Sequence, residues 1–331
     1  MTNIELATIE KLVDRLKQRL GAAVRGRDEV IELIILAFLA DGHVLLEDLP
    51  GSGKTTLARA LGEAIEKSHS AESGDIPSFR RIQFTPDLLP NDVTGTSVFL
   101  PEKSSFEFRR GPVFAHVVLA DEINRTSPKV QAALLEAMAE KQVTIDNETH
   151  PLDSLFFVIA TQNPLDMAGT YPLPRPQLDR FLFKLQMNHI AREDELSVLE
   201  DYPMPHLQRA AALQGVTRDE LIAARKALRE GVAIHSSIRQ ALVDAARSVR
   251  DHPQIQSGIS TRALVQLLPA LQARAVMQGR DYVSPQDLEA LLPPAFDHRV
   301  EVAAEVERVR DVVNEACAPE IEKLSRLSLR G

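Results

Sequence analysis

The sequence has few of the features that mark secreted or membrane-embedded proteins. Its 331 residues include a single cysteine, Cys317, so no internal disulfide can form. The longest apolar stretch, residues 30–40, contains Glu32 and is too short to cross a bilayer. The N-terminus shows no basic segment followed by an apolar run, so we expect no signal peptide. Together these absences predict a cytoplasmic protein without a membrane span.

Aromatic residues and positive charge are also scarce. Aromatic side chains make up 5% of the chain, tryptophan is absent, and 38 basic residues face 47 acidic ones, for a formal net charge of −9. Nucleic-acid binding depends on phosphate neutralisation and, for single strands, on aromatic stacking. The composition therefore gives no strong nucleic-acid signal, although the pair Arg109 and Arg110 leaves a local basic site open. The nine histidines are scattered and form no metal-ligand cluster.

Short apolar runs alternate with helical patterns in the first part of the chain. The runs typical of buried strands are residues 43–47, 81–84, 117–120, 156–160 and 181–185. Buried strands that alternate with helices indicate an α/β fold with a mostly parallel five-stranded sheet. After about residue 190 the strand pattern stops, and helix-start signals such as Thr217 and Ser284 follow. We therefore predict an α/β domain over residues 1–190 and a small all-helical domain over residues 191–331.

Smaller features complete this map. The first helix, with apolar residues recurring from Leu6 to Leu20, is predicted to end at Gly21. The polar segment 67–78 is predicted to be a flexible surface loop. Residues 87–112 and 142–149 are predicted to contain one hairpin each, and surface decoration without function is the alternative for both.

A glycine-rich segment follows the first predicted strand and precedes a helical run. It consists of Pro50, Gly51, Ser52, Gly53, Lys54, Thr55 and Thr56. Glycines let backbone N–H groups turn around phosphate oxygens, and the helix N-terminus adds partial positive charge. In such a loop Lys54 reaches the outer phosphates and Thr55 ligates Mg²⁺. The segment predicts binding of ATP or ADP with Mg²⁺, although Asp48 stands where the usual pattern begins with glycine. A simple glycine-rich turn is the alternative.

Two carboxylates, Asp121 and Glu122, end the apolar strand at residues 117–120. Their charge is costly at that position unless something compensates it. We predict that Asp121 ligates Mg²⁺ and that Glu122 orients or activates the attacking water. An ordinary strand end with solvated acids is the alternative.

Three further polar residues are candidates for the site. Asn163 follows the strand at residues 156–160, where its amide is predicted to hold the nucleophilic water or to sense the γ-phosphate; a turn before Pro164 is the alternative. Arg180 precedes the last predicted strand. Arg262 begins a helix, where a cation opposes the helix dipole unless an anion faces it. Taken alone, each arginine is more simply a surface residue.

With these residues in place, the chain resembles the MoxR family of AAA+ ATPases from about Gly26 to Arg299. The motifs that carry the resemblance are QFTPDLLP at residues 83–90, LADEINR at 119–125, QAALLEAM at 131–138 and ATQNP at 160–164. The resemblance implies a homo-oligomeric ring, usually a hexamer, with ATP between neighbouring subunits. It implies that Asn163 is sensor 1, that Arg180 is the finger reaching the neighbour's γ-phosphate, and that Arg262 is sensor 2. It also places Arg25 and Gly26 near the adenine.

The resemblance further implies a helix-2 insert at about residues 87–111 and a pre-sensor-1 hairpin at about residues 141–152. Family members act as chaperones that remodel or activate protein clients, often by inserting a metal or cofactor and often with a von Willebrand factor A-domain partner. The sequence departs from the family at Arg175-Pro176, where Glu-Ala is more usual. The predicted helix over residues 300–326 has no clear family counterpart.

The leading functional prediction is therefore an ATP-driven protein remodeller. Three alternatives remain open at this point. The first is a nucleic-acid-associated AAA+ motor, the second a chelatase-type motor subunit, and the third a scaffold that binds ATP without appreciable hydrolysis.

Overall fold

The computed structural model describes residues 3–48, 51–66, 76–163, 169–201, 206–303 and 305–328. Its helices are α1 (Asn3–Ala23), α2 (Asp28–Leu39), α3 (Lys54–Ala64), α4 (Pro90–Thr94), α5 (Pro128–Glu140), α6 (Arg175–Leu178), α7 (Arg192–Glu200), α8 (His206–Ala211), α9 (Arg218–Gly231), α10 (Ser236–Asp251), α11 (Thr261–Met277), α12 (Pro285–Phe296) and α13 (Val309–Ser328). Its strands are β1 (Val44–Asp48), β2 (Ile65–Glu66), β3 (Phe79–Gln83), β4 (Gly95–Leu100), β5 (Ser105–Arg110), β6 (Val117–Asp121), β7 (Gln142–Ile145), β8 (Glu148–Pro151), β9 (Phe157–Gln162), β10 (Phe183–Met187), β11 (Val216–Thr217), β12 (Ile255–Ser257) and β13 (Glu301–Val302). Within these residues no helix is long and apolar enough to cross a bilayer.

The central sheet has five strands in the order β10-β1-β9-β6-β3, and every neighbouring pair is parallel. Each predicted strand corresponds to one of these, so the predicted α/β fold and sheet are confirmed. Because all five strands run in the same direction, their carboxyl ends share one edge of the sheet and their amino ends share the other. These two edges are called the carboxyl edge and the amino edge below.

The sheet is covered on both faces, which explains why its strands are almost continuously apolar. Successive residues point to opposite faces, so Leu46 and Leu119 join one core cluster while Leu45 and Val118 join the other. The first cluster continues through α1, α2 and α3 into the C-terminal helices. The second lies beneath α5 and the two hairpins.

The C-terminal part of the chain is mainly helical, as predicted, but it is not entirely so. β11 pairs in parallel with β2, and β12 pairs antiparallel with β13. These strands are two or three residues long, too short for an alternating pattern to reveal them. The prediction that the first helix ends at Gly21 is also wrong, since α1 continues to Ala23. One glycine costs a helix only about 1 kcal/mol, which packing can offset.

Both predicted hairpins are present. β4 pairs antiparallel with β5, and β7 pairs antiparallel with β8. The rings of Phe108 on β5 and His150 on β8 stack with centroids 3.9 Å apart, which joins the two hairpins. Phe99 and Phe106, farther along the first hairpin, are 50% and 72% exposed. Most of the predicted surface loop, residues 67–75, lies outside the described residues.

An ionic cluster around Asp41 connects α9 to the amino edge of the sheet. The Asp41 carboxylate accepts hydrogen bonds from Lys141 Nζ at 2.5 Å, Arg225 Nη1 at 2.7 Å and Arg229 Nη2 at 3.4 Å. Arg225 is buried and also donates to the carbonyl oxygens of Phe38 and Ser154. The cluster therefore holds α9, the end of α5 and the turn before β1 together.

We predict that Asp41→Asn lowers the free energy of unfolding by about 2–3 kcal/mol at pH 7, because it leaves the buried Arg225 guanidinium without its carboxylate. Burial raises the pKa of Asp41, but the charges of Arg225 and Lys141 outweigh this and hold that pKa below its usual value. The stabilisation is therefore complete above about pH 4 and is lost as the pH falls through the lower folded-state pKa.

Urea unfolding of both proteins between pH 7 and pH 3 measures this difference, which should shrink toward pH 3. Asp14→Asn, at an exposed carboxylate on α1, is the matched control and should change stability little at any pH. A difference between wild type and Asp41→Asn that stays constant down to pH 3 would contradict the assignment.

Candidate functional site

The glycine-rich segment with Gly51, Ser52 and Gly53, called the phosphate loop below, connects β1 to α3 at the carboxyl edge. Gly51 and Gly53 have φ angles of +90° and +93°, a backbone region that residues with a Cβ rarely adopt. Gly53 is also the N-cap of α3, and no side chain caps this helix. The first N–H groups of α3, including those of Lys54, Thr55 and Thr56, are therefore oriented for an anionic ligand. Ser52 belongs to the same loop, whereas Pro50 lies outside the described residues.

Asp121 ends β6 at the same edge and is 4% exposed. Its Oδ1 accepts a hydrogen bond from Thr161 Oγ1 at 2.7 Å, and its Oδ2 accepts one from Arg81 Nη2 at 2.6 Å. The charge of this buried carboxylate is thus compensated by a guanidinium and a hydroxyl. Thr161 lies on the neighbouring strand β9 and Arg81 on β3, so the sheet itself brings the three residues together.

Glu122 leaves the strand through a left-handed turn, with φ of +58°. Its backbone N–H donates to Thr161 Oγ1 at 2.9 Å, and its carboxylate accepts from Gln83 Nε2 at 3.0 Å. Arg125 Nε lies 3.0 Å from the same carboxylate oxygen. The Glu122 side chain is 27% exposed, so it is oriented by protein groups and still reachable by water.

The donor set fits Mg²⁺. Carboxylate and hydroxyl oxygens are the ligands that Mg²⁺ prefers, and Asp121 and Thr55 provide one of each beside the phosphate loop. In the part of the chain that the structure describes, no group of three or more histidine, cysteine or acidic side chains could hold a metal, so a bound Mg²⁺ would rely on these two ligands together with the nucleotide and water.

A cavity of about 470 Å³ adjoins the phosphate loop. Its lining residues are Ala23, Val24, Arg25, Arg27, Gly51, Ser52, Gly53, Thr56, Met187, Asn188, His189, Ile190, Glu195, Val198 and Leu199. Arg25 therefore lines the cavity, and its place near the adenine stays a prediction. Gly26 adjoins it, with φ of +63°, and a Cβ added there would lie 2.4 Å from Asp194 Oδ2 on α7. The space combines apolar walls with a phosphate-binding loop, which suits a nucleotide.

Asn163 follows β9, and so lies at the carboxyl edge with Asp121. The residue before it, Gln162, donates to Glu47 Oε1 at 2.6 Å, and Lys184 Nζ lies 2.8 Å from the same oxygen. These links fix the end of β9 against β1 and β10. Asn163 therefore lies at the same edge as Asp121, and its role as a γ-phosphate sensor stays a prediction.

Arg180 and Arg262 are not brought to the phosphate loop. Arg180 lies before β10 at the amino edge, since Leu182 two residues later bonds to the carbonyl of His43 at 2.7 Å. Arg262 lies in the first turn of α11, close to Arg180. Burial lowers the pKa of Arg180, and the nearby positive charge of Arg262 lowers it further, while Glu136 and Glu140 oppose this.

Sequence reasoning missed four residues of the carboxyl edge as functional groups: Arg81, Gln83, Arg125 and Thr161. A signal for two of them was present, because Arg81 and Gln83 are two positions apart on a strand and so share a face. The pairing of Gln83 with Asp121 was not visible in the sequence.

Comparisons with known proteins agree with this geometry. Residues 43–183 match the family described as ATPase family associated with various cellular activities (AAA), and residues 247–316 match the AAA lid domain. The chain is 43% identical to YeaC of Bacillus subtilis, described as uncharacterized, over 296 residues that make up 88% of each protein. It is 35% identical to Chaperone MoxR1 of Mycobacterium tuberculosis over 313 residues, covering 89% of this chain and 76% of that one.

A solved structure of a candidate ATPase from Cytophaga hutchinsonii is also similar. It superposes with a TM-score of 0.83 at 32% sequence identity, and the match covers 95% of this chain and 96% of that one. The similarity therefore includes the sheet, the hairpins and the lid. This chain belongs to the MoxR family of AAA+ ATPases.

Proposed function

We propose that this protein is a Mg²⁺-dependent ATPase that works as a ring and completes each active site with arginines from the neighbouring subunit. The observation that carries the proposal is the position of Arg180 and Arg262 at the amino edge. β1 alone has five residues and so separates the two edges by about 16 Å. This distance supports the proposal that the two arginines serve the site of another subunit rather than their own.

Within one subunit, residues of the carboxyl edge bind the nucleotide and Mg²⁺ and activate the attacking water. Lys54 and the first N–H groups of α3 bind the phosphates, while Thr55 and Asp121 hold Mg²⁺. The bound metal supplies charge neutralisation at the phosphates. Glu122, held by Gln83 and Arg125, accepts a proton from the attacking water. Asn163 positions that water or contacts the γ-phosphate.

In the neighbouring subunit, Arg180 and Arg262 face the γ-phosphate across the interface. Their two guanidinium groups stabilise the charge that accumulates on the transferred phosphoryl group. Such an interaction would be stronger where the interface excludes water, because a charge pair is less screened there. Hexameric assembly is the ring form that the family suggests.

The energy of hydrolysis is proposed to remodel or activate a protein client in the cytoplasm. Support comes from a relative that is named a chaperone and from the first hairpin, which exposes Phe99 and Phe106. Metal or cofactor insertion and a von Willebrand factor A-domain partner are finer forms of this proposal. A pull-down with Glu122→Gln and ATP, which should trap the client-bound state, tests it. Recovery of nucleic acid rather than protein would favour the motor alternative.

The first prediction separates binding from hydrolysis at the carboxyl edge. Lys54→Ala should weaken ATP binding at least about tenfold, since one charge-assisted contact to phosphate is worth roughly 1.5–3 kcal/mol. Glu122→Gln should keep ATP affinity within about twofold and lose turnover, because the metal site survives while the water loses its base. Fluorescent-nucleotide titration and phosphate release measure the two effects. Wild-type turnover in Glu122→Gln would refute the role given to Glu122.

The second prediction tests the arginine supplied by the neighbour. Arg180→Ala should reduce turnover by roughly 10³–10⁵, as loss of an arginine finger does in related hydrolases, with ATP binding nearly intact. Mixing Arg180→Ala with Glu122→Gln should restore activity, because a wild-type Glu122 site then meets a wild-type Arg180 from the adjacent subunit.

Native mass spectrometry should confirm that the mixed rings form. Arg239→Ala, at an exposed arginine on α10, is the matched control and should hydrolyse ATP normally. Mixed rings that are no more active than either parent would show that Arg180 does not act across an interface.

The third prediction concerns the cavity beside the phosphate loop. Leu199 lines it and is 72% exposed, whereas Leu196 on the same helix is 41% exposed and does not line it. Leu199→Ala should weaken ATP binding about fivefold, because roughly 1 kcal/mol of apolar contact with the adenine is lost. Leu196→Ala should leave affinity unchanged. Equal effects of the two substitutions on ATP affinity, measured by calorimetry, would mean that the adenine binds outside this cavity.

A further inference from the structure

The carboxylate of Asp179, next to Arg180, joins two separate parts of the chain. Its Oδ2 accepts a hydrogen bond from Ser260 Oγ at 2.8 Å, and its Oδ1 accepts one from Arg299 Nε at 2.8 Å. Ser260 is the N-cap of α11, and Arg262 lies two residues after it. Asp179 therefore connects the residue beside Arg180 with the helix turn that carries Arg262.

The Ser260 hydroxyl both donates and accepts a hydrogen bond at this contact. Its oxygen accepts the N–H of Ala263 at 3.1 Å, which caps α11, while its hydrogen goes to Asp179. The position of the helix start and the position of the Asp179 carboxylate are thus fixed by a single group.

Arg299 anchors the other side. Its side chain is 2% exposed and donates to the carbonyl oxygens of Phe181 at 2.7 Å and Leu182 at 3.1 Å and to Gln266 Oε1 at 3.0 Å. A further bond goes to the carbonyl of Ala295. A buried network in which every donor is used is rigid, since any displacement breaks several bonds at once.

A second ion pair lies alongside. Arg175 Nη1, at the start of α6, is 2.7 Å from Glu301 Oε2 in β13. The segment from α6 to β10 is therefore attached to the lid at both of its ends. The unusual Arg175 of this sequence forms one of these attachments.

We propose that Asp179 is a positioning residue that fixes the lid helix α11 on the Arg180 segment, so that Arg180 and Arg262 are presented to the neighbouring subunit as one preorganised pair. This inference rests on the proposed function in the ring. Two like charges held close together repel each other, and a rigid joint keeps them in place until an anion enters. Fixing them in advance also removes the entropic cost of ordering two long side chains during catalysis.

The experiment compares Ser260→Ala with Thr217→Ala in the full-length protein. Each substitution removes one N-cap in the C-terminal helical part of the chain, since Thr217 caps α9 by accepting the N–H of Glu220 at 3.2 Å. Of these two capping residues, only Ser260 contacts Asp179. Ser260→Ala should lower kcat roughly ten- to hundredfold, the range expected when catalytic groups shift by about 1 Å. ATP affinity should stay within about twofold, because the phosphate loop lies at the other edge. Thr217→Ala should keep the wild-type kcat.

A mixing experiment shows where Ser260 acts. Ser260→Ala combined with Glu122→Gln should recover activity, because the Glu122→Gln subunit presents an intact arginine pair to an intact Glu122 site. Asp179→Asn should lower kcat in the same way and be rescued by the same partner. Removing this carboxylate from the buried Arg299 threatens folding, which is why the Ser260 variant is the primary test. The variant that combines Ser260→Ala with Asp179→Asn should have a kcat little lower than that of either single variant, since both substitutions break the same hydrogen bond.

Three outcomes would overturn the inference. If Ser260→Ala hydrolyses ATP at the wild-type rate while Arg180→Ala is inactive, the joint has no role and the proposed ring mechanism stands. If Ser260→Ala is slow but mixing gives no recovery, the defect lies in its own site. Wild-type activity in Arg180→Ala would instead refute the proposed function together with this inference.

Discussion

The single direction of the five sheet strands is the constraint on which the rest of the structure depends. Every residue that follows a strand arrives at the carboxyl edge, and every residue that precedes one lies at the amino edge. The phosphate loop, Asp121 and Asn163 are consequently neighbours although they are far apart in sequence. Arg180 precedes its strand and belongs to the other edge. The proposed ring would bring the carboxyl edge of one subunit next to the amino edge of its neighbour.

The carboxyl edge shows how the candidate site tolerates buried charge. Asp121 is nearly inaccessible, yet both of its oxygens are hydrogen-bonded, one to Thr161 and one to Arg81. Thr161 in turn accepts the N–H of Glu122, so a single hydroxyl fixes the two carboxylates relative to each other. A partly satisfied network of this kind would be costly in a low dielectric, whereas a satisfied one holds its geometry before any ligand binds.

Local patterns in the sequence were sufficient to predict the sheet, both hairpins and the glycine-rich turn between β1 and α3, while phosphate binding by that turn stays a prediction. Apolar runs mark buried strands wherever they occur, and glycine before Lys54 is required by backbone geometry. The partners of these residues were not predictable, because Arg81 meets Asp121 across 40 positions and Arg299 meets Asp179 across 120. The contact between Arg81 and Asp121 depends on the order of the strands, and the contact between Arg299 and Asp179 depends on how the lid packs on the sheet domain. No local sequence pattern indicates either arrangement. The short strands β11, β12 and β13 were not predicted for a related reason, because they form only by pairing with segments distant in the sequence.

The attachment of the lid follows from the same two-edge arrangement. Arg225 binds Asp41 and Arg218 binds Asp153, so α9 rests on turns that precede β1 and β9. Arg299 binds the segment before β10. All three contacts lie at the amino edge, whereas the residues that line the cavity beside the phosphate loop end at Leu199. The helices from α9 onward are therefore fixed to the edge that bears Arg180.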